Sequence, residues 1–359
     1  MLMMEGLQKD SRLDVGHGAD GRRLAVLRTV LRDRPDVLHF DWIQGYFLHP
    51  TNLIAWPQSL VFVAEMFLVR LVFCRTIVWS LHNIVAHTSA KPRRVDLWTR
   101  RAFARVCSKI RVFDISTVSR AASALGVEED RFVVCPEGSY IGFYPDDELS
   151  QAEARRTLNV ELDAVVLLYV GFIRQYKGLD RLVRTFKAVK HPRWRLIIAG
   201  NPKPRDAEFA ENVAQLARDD DRIRLDLRFI DEDELQYYFR AADVVVLPFR
   251  NIENSGSANL AMGFSKAIIA PNKGNLPRRL QHQAKLLYDN DLNEAFDALA
   301  DCDRGLLEHF GRENRCFAER LNWTDFAAEL IAVHLGRGKR KTRTEPDGTK
   351  PTVAQVTHS

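Results

Sequence analysis

The stretch VVVLPFRNIENSGSANLAM, residues 244 to 262, runs from a strand-like segment into an apolar helix through a turn of small polar residues. The apolar run at 244–247, which begins with three β-branched valines, is typical of a buried strand. The turn holds Asn254, Ser255, Gly256 and Ser257. A helix start needs only one capping side chain, so this run favours a second role, in which bare amides at the start of the helix bind an anion.

Strand-like and helix-like segments alternate on both sides of this turn. In the second half of the chain, apolar runs predict strands at residues 165–170, 195–199, 224–229, 244–247 and 267–270. Amphipathic segments predict helices at residues 179–189, 207–219, 232–241 and 257–264. This rhythm predicts a doubly wound parallel sheet, in which ligands bind at the carboxyl ends of the strands.

The first half follows the same pattern, with predicted strands at 37–40, 76–81, 112–118 and 132–135, and helices at 22–32, 60–73, 95–107 and 120–125. We therefore predict an α/β protein with two Rossmann-like domains that face each other across a cleft. The predicted domains are residues 1–147 and 148–312, with a turn-rich hinge at 144–150 before a helix that starts at Gln151. A helix within 313–336 follows, for which a return to the first domain is one option. The basic tail 337–359 is predicted to be disordered because of its low apolar content.

The composition is that of a globular protein. The 359 residues are 46% hydrophobic and 28% charged, with a net charge of +5. Five dispersed cysteines without metal-ligand spacing indicate reduced thiols, and no apolar N-terminal stretch follows a basic region. We therefore expect a cytoplasmic protein, with neither a disulfide framework nor a signal peptide.

Two basic clusters and one apolar segment raise the question of a membrane. The clusters lie within residues 91–111 and 337–343, and such patches favour anionic partners. Residues 59–73 are strongly apolar but contain Glu65 and Arg70, and they fall short of the about 20 apolar residues that a membrane span needs. Two interpretations stay open: a buried helix, or a helix on the inner face of an anionic membrane, which would make the protein peripheral there.

A second turn with anion-binding character is GFIRQYKGLD, residues 171–180, which follows the predicted strand 165–170. Gly171 lets the backbone turn closely, and Gly178 opens the next helix. Arg174 and Lys177 project between them. Two cations at the start of a helix suit a diphosphate, because their charges and the free N–H groups converge on one site. Two solvated loop cations are the alternative.

Several sequence blocks resemble one enzyme family. Within residues 164–290 we find, in order, GFIRQYKGLDRLVRTF, RLIIAGNP, RFIDEDELQYYFRAADVVVLP and AMGFSKAIIAP. These blocks are similar to the donor half of retaining GT-B glycosyltransferases of the group 1, or family 4, type. The first half resembles the acceptor half of the same family more weakly, through DVLHFDW, TIVWSLHNIVAH, DISTVS and VVCPEGSYIGFYP.

The resemblance implies transfer of a hexose from a GDP- or UDP-linked sugar to a saccharide or lipid-linked acceptor, as in polysaccharide or glycolipid synthesis. It implies retention of the anomeric configuration. The implied catalytic residues are His82, Arg174 and Lys177, with Glu253 as the candidate at the sugar. The implied base contacts are Phe229 and Ile230, with Arg228 beside them. The turn residues predicted above from their own chemistry complete the donor-binding set: Gly171, Asn254, Ser255, Gly256 and Ser257. Because two cations and bare amides would neutralise the diphosphate, and no acidic D-x-D triplet lies in a suitable loop, we expect no metal and no cofactor beyond the donor substrate.

Residues at the ends of predicted first-half strands form the expected acceptor side: Asp41, Trp42, Asn83 and Gly138. Trp42 offers a stacking face for a sugar ring, and Asp41 is a candidate base. Gly138 would allow close approach of the backbone and a ligand. His82 is expected to approach the donor sugar, although a histidine at such a position also serves simply as a core hydrogen-bonding group.

The chain departs from the family pattern in two places. The family carries two glutamates in the spacing E-x7-E before the helix, and this chain has Ile252 and Leu260 there. Glu253, next to the first position, is the candidate sugar contact. The family also opens with a strand and a Gly-rich loop, whereas the first convincing strand here is at 37–40. Either that first strand is altered within residues 1–15, or the sequence starts late.

Two rival functions remain. A nucleotide-sugar epimerase on the same fold would act on the donor without an acceptor. A non-catalytic protein with a degenerate site would bind a membrane surface through the basic segment and would not bind nucleotide. Nucleic acid is not an expected partner, since few aromatic residues interleave the basic ones.

Overall fold

The computed structural model describes residues 13–18, 24–73, 75–84, 94–144, 149–335 and 352–356. The chain divides into two compact units, which are treated separately below. Unit 1 comprises Met1–Gly138 with Asn322–Ser359, and unit 2 comprises Ser139–Leu321. Each unit is built on a six-stranded parallel sheet with intervening helices, so the predicted α/β class with two Rossmann-like halves is confirmed.

Unit 1 alternates strands and helices. Its elements are β1 (Asp14–His17), α1 (Ala25–Asp33), β2 (Val37–Phe40), α2 (Asn52–Val72), β3 (Thr76–Ser80), α3 (Arg94–Val106), β4 (Lys109–Val112), α4 (Val118–Leu125), β5 (Phe132–Val134), α13 (Trp323–His334) and β12 (Thr352–Val356). The strands are arranged in the order β1-β12-β2-β3-β4-β5, and all neighbours are parallel.

The two faces of the unit 1 sheet carry different cores because alternate residues of a strand point to opposite sides. Leu38 and Phe40 of β2 belong to the cluster that includes residues of α1, α2, α3 and α4. Val37 belongs to the cluster with α13. On that second face, Nδ1 of His39 lies 3.0 Å from Nε2 of His334. Burial lowers the pKa of His39 to about 4. A neutral histidine pair thus fastens α13 to the sheet.

The predicted strand 112–118 is wrong. The strand β4 ends at Val112, and a short 3₁₀ turn at Ile115–Thr117 leads into α4. The Asp114 side chain accepts a hydrogen bond from the Ser116 amide at 3.0 Å. Asp commonly caps the start of a helical turn in this way, and the cap ends the strand here.

The disordered tail predicted for residues 337–359 is wrong for Thr352–Val356, which form β12. This strand lies between β1 and β2, with Val353 paired to Val15 and Val37. Val353 and Ala354 are buried. A central strand needs only a few residues when both neighbours supply hydrogen bonds, so a short apolar segment in a polar tail is sufficient. The N-terminal segment contributes the edge strand β1, Asp14–His17, which pairs with β12 and extends past the range 1–15 in which an altered first strand was sought.

Two further expectations concern α2 and the hinge. The helix predicted at 60–73 begins earlier and spans Asn52–Val72, with Pro57 inside it. The hinge predicted at 144–150 falls largely outside the described residues, since 145–148 are not among them. The helix predicted to start at Gln151 is confirmed, and Ser150 and Glu153 form a capping box at its start.

Unit 2 follows the predicted strand and helix rhythm closely. Its elements are α5 (Gln151–Thr157), β6 (Val165–Val170), α6 (Leu179–Ala188), β7 (Trp194–Ala199), α7 (Ala207–Ala217), β8 (Ile223–Asp226), α8 (Glu232–Ala241), β9 (Val244–Val246), α9 (Gly256–Gly263), β10 (Ala267–Pro271), α10 (Leu276–Arg279), β11 (Leu287–Tyr288), α11 (Leu292–Ala300) and α12 (Arg304–Glu319). The sheet order is β11-β10-β9-β6-β7-β8.

This strand order predicts where a ligand crevice lies in unit 2. From β6 the chain proceeds outward through β7 and β8, and it then returns to the other side of β6 with β9. The order therefore reverses between β6 and β9. In open parallel sheets the crevice lies at such a switch point, beyond the carboxyl ends of the strands. The loops that leave β6 and β9 there are the two turns singled out in the sequence.

A substitution that introduces a charge into β12 tests whether this tail strand belongs to the sheet of unit 1. We expect Val353→Asp to destabilise unit 1 by about 3 kcal/mol or more, because it leaves an unpaired charge in the sheet. Tryptophan fluorescence during urea unfolding reports on this unit, since five of the six tryptophans belong to it. Removal of residues 357–359 is the control and should leave the midpoint unchanged. An unchanged midpoint for Val353→Asp would mean that the tail strand is not part of the sheet.

Candidate functional site

The first turn of unit 2 is shaped by two glycines in the left-handed region. Gly171, directly after β6, has φ 145°, and Gly178, before α6, has φ 72°. A Cβ atom at position 178 would lie 2.1 Å from the carbonyl oxygen of Pro248. Gly178 is therefore required both for its backbone conformation and for the close packing of α6 against the loop after β9.

The second turn starts α9 at Gly256, and Ser255 is its N-cap. The Ser255 side chain is buried and accepts a hydrogen bond from the Ala258 amide at 3.0 Å. Its first role is thus the ordinary capping role. Gly256 and Ser257 are the first two residues of α9, and the amides of a first helical turn have no carbonyl partner within the helix.

The two turns are bound to each other. The Arg250 amide donates to the carbonyl oxygen of Tyr176 at 3.0 Å, and the Arg181 guanidinium donates to that of Pro248 at 2.9 Å. A Cβ atom on Gly171 would lie 3.7 Å from the Ser257 hydroxyl oxygen. The structure therefore brings the first turn, with its cations, next to the amino end of α9.

Lys177 carries a charge that no carboxylate of the described residues balances. Its ammonium nitrogen lies 3.9 Å from the ring centre of Phe249 and 5.3 Å from that of Tyr176. Burial, and then the neighbouring charge of Arg174, lower the pKa of Lys177 to about 8. Within the described residues, no carboxylate forms an ion pair with this lysine. A desolvated cation without a counter-ion is typical of a site that binds an anion.

Arg174 is only partly neutralised. Its Nε atom lies 3.7 Å from Oδ2 of Asp206, and Nε of Arg205 lies at the same distance from the same oxygen. The guanidinium also lies 5.1 Å from the ring centre of Phe172. One carboxylate shared by two arginines leaves the turn with net positive charge, and Lys177 adds to it.

The residues before α9 are held by the turn that follows β10. The Asn254 side-chain oxygen accepts from the Asn275 side-chain amide at 3.0 Å, and the Glu253 carbonyl oxygen accepts from the Asn275 backbone amide at 3.1 Å. Ile252 is buried in the core of unit 2, and Leu260 is half-buried. The two positions at which the family pattern has glutamates therefore hold apolar side chains that pack.

The predicted base contacts lie in a loop. The strand expected at 224–229 ends at Asp226, so Phe229 and Ile230 follow it in the connection to α8. Arg228 forms two hydrogen bonds with the Glu234 carboxylate, at 2.6 and 2.9 Å. Phe229 is 64% exposed, and Ile230 packs against the core. An exposed aromatic ring on a fixed loop at this edge of the sheet is suited to stacking.

In unit 1, three of the predicted residues come together. Oδ1 of Asp41 lies 3.2 Å from Nε2 of His82, and Asp41 is buried. The rings of Trp42 and His82 stack at 4.2 Å with an interplanar angle of 14°, and Phe113 lies 4.9 Å from His82. Asp41 and His82 follow the adjacent strands β2 and β3, which explains their proximity. Asp41 therefore orients the imidazole of His82.

The other two predicted acceptor residues have structural roles in unit 1. The backbone oxygen of Asn83 accepts from the Arg100 guanidinium at 2.9 Å. A Cβ atom on Gly138 would lie 2.6 Å from the indole of Trp323. The expectation that Gly138 admits a ligand is therefore corrected: the close neighbour is Trp323, at the start of α13.

Two residues of the unit 2 site were not identified from the sequence. Phe249 follows Pro248 directly in the quoted stretch, and its strand-end position could have indicated it. Asp206 could not be identified in this way, because its partner Arg174 lies in the turn after β6, which is remote in sequence. Its other partner, Arg205, is its neighbour in the same loop. Among the described residues, no cluster of three or more His, Cys, Asp or Glu side chains is arranged to hold a metal ion.

A small cavity of unit 2 lies apart from the candidate residues. It is lined by Tyr140, Ile141, Gly142, Tyr144, Leu260, Gly263 and Phe264. Its lining is apolar and aromatic and includes neither cation of the first turn. The cavity therefore does not define the anion site.

Solved structures with the same architecture define the class. Sucrose-phosphate synthase of Thermosynechococcus elongatus superposes with a TM-score of 0.69 at 21% identity, covering 87% of this chain and 76% of that one. Anabaena HepE in complex with UDP superposes with a TM-score of 0.66 at 16% identity, covering 87% and 82%. The fold is that of the GT-B glycosyltransferases.

Sequence comparison adds the family. Residues 164–303 match the family described as Glycosyl transferases group 1. The GDP-mannose:glycolipid 4-beta-D-mannosyltransferase of Xanthomonas campestris pv. campestris is 27% identical over 250 residues, which are 69% of this chain and 65% of that protein. Residues 164–303 are thus similar to the group 1 glycosyltransferases, and the chain spans slightly less than two thirds of the length of this relative.

The pKa of Lys177 gives the site a pH dependence. An anion binds the protonated lysine, so we expect nucleoside diphosphate affinity to fall as the pH rises through about 8. Above that pH, the association constant should fall by about tenfold per pH unit. Calorimetric titration with GDP and UDP between pH 7 and 9 measures it. In Lys177→Met the affinity should be low and should follow only the titration of the nucleotide. Parallel pH profiles for the two proteins would contradict the assignment.

The Asp41–His82 contact makes a second prediction. Asp41→Asn keeps the shape but removes the charge that orients the imidazole, so we expect kcat to fall at least about tenfold. Donor affinity and the thermal midpoint should not change. The control is Asp114→Asn, because the Asp114 carboxylate caps a turn of the same unit. If both variants lose the same stability and Asp41→Asn keeps its kcat, Asp41 has no role in positioning His82.

Proposed function

We propose that this protein is a glycosyltransferase, which moves a hexose from a GDP- or UDP-linked sugar to a hydroxyl of a saccharide or lipid-linked acceptor in polysaccharide or glycolipid synthesis. The observation that carries the proposal is the charge of Lys177, desolvated and without a carboxylate partner in the described residues, beside Arg174 and the amino end of α9. This arrangement suits the diphosphate of a nucleotide sugar better than any neutral ligand.

The proposed chemistry places the positive charge where negative charge develops. The bond between the anomeric carbon and the β-phosphate oxygen breaks, the acceptor oxygen bonds to that carbon, and the acceptor proton passes to an oxygen of the departing diphosphate. Negative charge accumulates on the departing diphosphate. Arg174, Lys177 and the amides of Gly256 and Ser257 would stabilise it without reorganisation, which is an effective form of catalysis. In this proposal the leaving group requires no metal ion.

The sugar and the base would contact the remaining donor residues. Glu253 and Asn254, fixed by the turn at Asn275, are proposed to contact the hexose. Phe229 and Ile230 are proposed to pack near the base. The absence of glutamate at positions 252 and 260 sets this chain apart from the E-x7-E pattern, so the ribose would be bound without a carboxylate at those positions. Retention of configuration rests on the family resemblance.

For unit 1 we propose a part in sugar recognition. His82, oriented by Asp41, would act at the reacting sugar, and the exposed face of Trp42 would stack on an acceptor ring. The names of the relatives support a saccharide or lipid acceptor: one is a glycolipid mannosyltransferase, and another is the lipopolysaccharide 1,2-N-acetylglucosaminetransferase of Salmonella typhimurium. A lipid-linked acceptor would bring the protein to the cytoplasmic face of a membrane.

A thermal-shift screen against UDP, GDP and their sugars tests donor binding first, because a ligand that binds the folded state raises its midpoint. The responsive donor is then incubated with and without candidate acceptors. A glycosyltransferase consumes the donor in the presence of an acceptor and releases the nucleoside diphosphate. Interconversion of the donor sugar without an acceptor would instead identify an epimerase. No response to any nucleotide would contradict the proposal.

The two arginines that share Asp206 allow a matched test of the diphosphate assignment. Arg174→Gln should lower kcat/KM for transfer by about 100-fold or more, because it removes a charge that stabilises the leaving group. Arg205→Gln is the control, since Arg205 lies at the same 3.7 Å from Asp206 but its side chain is 67% exposed. Activity of Arg174→Gln equal to that of the control would refute the role of Arg174.

A further inference from the structure

The helix α2 of unit 1 buries one carboxylate in the core and exposes a set of large apolar side chains. Glu65 is buried, and its carboxylate accepts from the Leu27 amide at 2.8 Å. Burial raises the pKa of Glu65. Arg70 turns back to donate to the carbonyl oxygen of Arg75. The large exposed side chains of α2 are all apolar: Leu53, Ile54, Trp56, Leu60, Val61, Phe67, Leu68, Leu71 and Val72.

These side chains form a continuous stripe. Leu53, Leu60, Phe67 and Leu71 recur at the spacing of one helix face, and Leu53 and Leu71 are 86% and 72% exposed. The opposite face of α2 packs in the unit 1 core through buried residues that include Phe62, Met66 and Val69. A contiguous exposed apolar surface of this length on a folded domain marks a surface that another molecule covers.

The composition of α2 by itself does not decide what covers the stripe. By length and composition it is the one helix, within the described residues, that could cross a membrane, and 39% of its most apolar window is buried. The buried part belongs to the same core as the β2 and β3 strands. A spanning helix would have to leave that core. The stripe is therefore suited to contact along its length while α2 stays in the fold.

The exposed charges beside the stripe are mainly positive. The exposed arginines on the flanking helices and their ends are Arg28, Arg32 and Arg34 at α1, and Arg94, Arg101 and Arg105 on α3. The exposed acids there, within the described residues, are Asp33 and Asp36, which are paired with Arg32 and Arg75. Trp56 of α2 and Trp98 of α3 lie 5.6 Å apart and are each 37% exposed.

We infer that this surface, defined as the exposed apolar face of α2 with the six flanking arginines and the two tryptophans, docks on an anionic lipid bilayer. The apolar stripe would enter the acyl boundary, the tryptophans would lie at the headgroup level, and the arginines would contact the lipid phosphates. Arginines on both sides of an apolar stripe complement a continuous negative plane, whereas a protein partner would present mixed charge. The inference rests on the proposed function in one respect: docking would bring the enzyme to a lipid-linked acceptor.

Vesicle flotation with the full chain tests the surface without donor or acceptor. The probes are vesicles of phosphatidylcholine alone and of phosphatidylcholine with 30% phosphatidylglycerol. We expect binding to the anionic vesicles that weakens with added salt, and much weaker binding to the neutral ones. Leu60→Gln/Phe67→Gln/Leu71→Gln should reduce binding to anionic vesicles at least about tenfold. Leu162→Gln, an exposed leucine of unit 2, is the control and should bind as the unmodified protein does.

A charge variant separates the two contributions. Arg28→Gln/Arg94→Gln should reduce binding to anionic vesicles and leave the weak binding to neutral vesicles unchanged. Circular dichroism and the thermal midpoint verify that both multiple variants are folded. Transfer to a water-soluble acceptor should be unaffected in the apolar variant, while transfer to an acceptor embedded in vesicles should fall. If the unmodified protein transfers no sugar at all, the proposed function fails, and the flotation result still decides the inference about the surface.

Several results would overturn the inference. Absence of flotation with anionic vesicles, or equal flotation of the apolar triple variant, would exclude this surface as the lipid contact. A dimer in light scattering that the triple variant converts to a monomer, without vesicle binding, would mean that a second copy of the chain covers α2. Retention in vesicles after alkaline carbonate extraction would mean that α2 spans the bilayer.

Discussion

An ammonium group without a carboxylate partner among the described residues is the constraint on which the candidate site depends. Lys177 is partly desolvated against aromatic rings, and Arg174 adds a second positive charge, so the pKa of the lysine falls to about 8. Two such cations side by side repel each other, and a bound anion would offset that repulsion. The packing around it is accordingly rigid: Gly178 lies against the backbone of Pro248, and Phe249 fixes the position of the lysine. These contacts explain why glycine and aromatic residues occupy the turns.

The parallel sheet of unit 2 supplies the geometry. Its order reverses between β6 and β9, so the loops that leave these strands meet at one edge, although about 75 residues separate them in the sequence. The first loop brings two cations, and the second brings the amino end of α9. Ser255 caps the helix, which frees the amides of Gly256 and Ser257 for a ligand. The fold and the electrostatics of the site therefore have a common origin in strand order.

The sequence predicted unit 2 better than unit 1, for a physical reason. The strands β6, β9 and β10 of unit 2 are apolar on both faces, and such runs are visible in a local window. The two turns were expected to lie at the same edge of the sheet, because both follow the carboxyl ends of parallel strands. In contrast, β12 pairs with strands more than 300 residues away, and no local pattern encodes that contact. The role of Gly138 depends on Trp323, and the charge of Arg174 depends on an aspartate shared with Arg205. Composition likewise left two interpretations of α2, since it does not tell which face packs in the core.

A crystal structure of the full protein with the nucleoside diphosphate that stabilises it most tests the central claim directly. The account predicts that the β-phosphate lies within about 3 Å of the Lys177 ammonium nitrogen and of the amide nitrogens of Gly256 or Ser257, which is hydrogen-bond distance. Arg174 should contact the same diphosphate. A diphosphate bound elsewhere, with the Lys177 ammonium group still against the ring of Phe249 and without an anion beside it, would contradict the account.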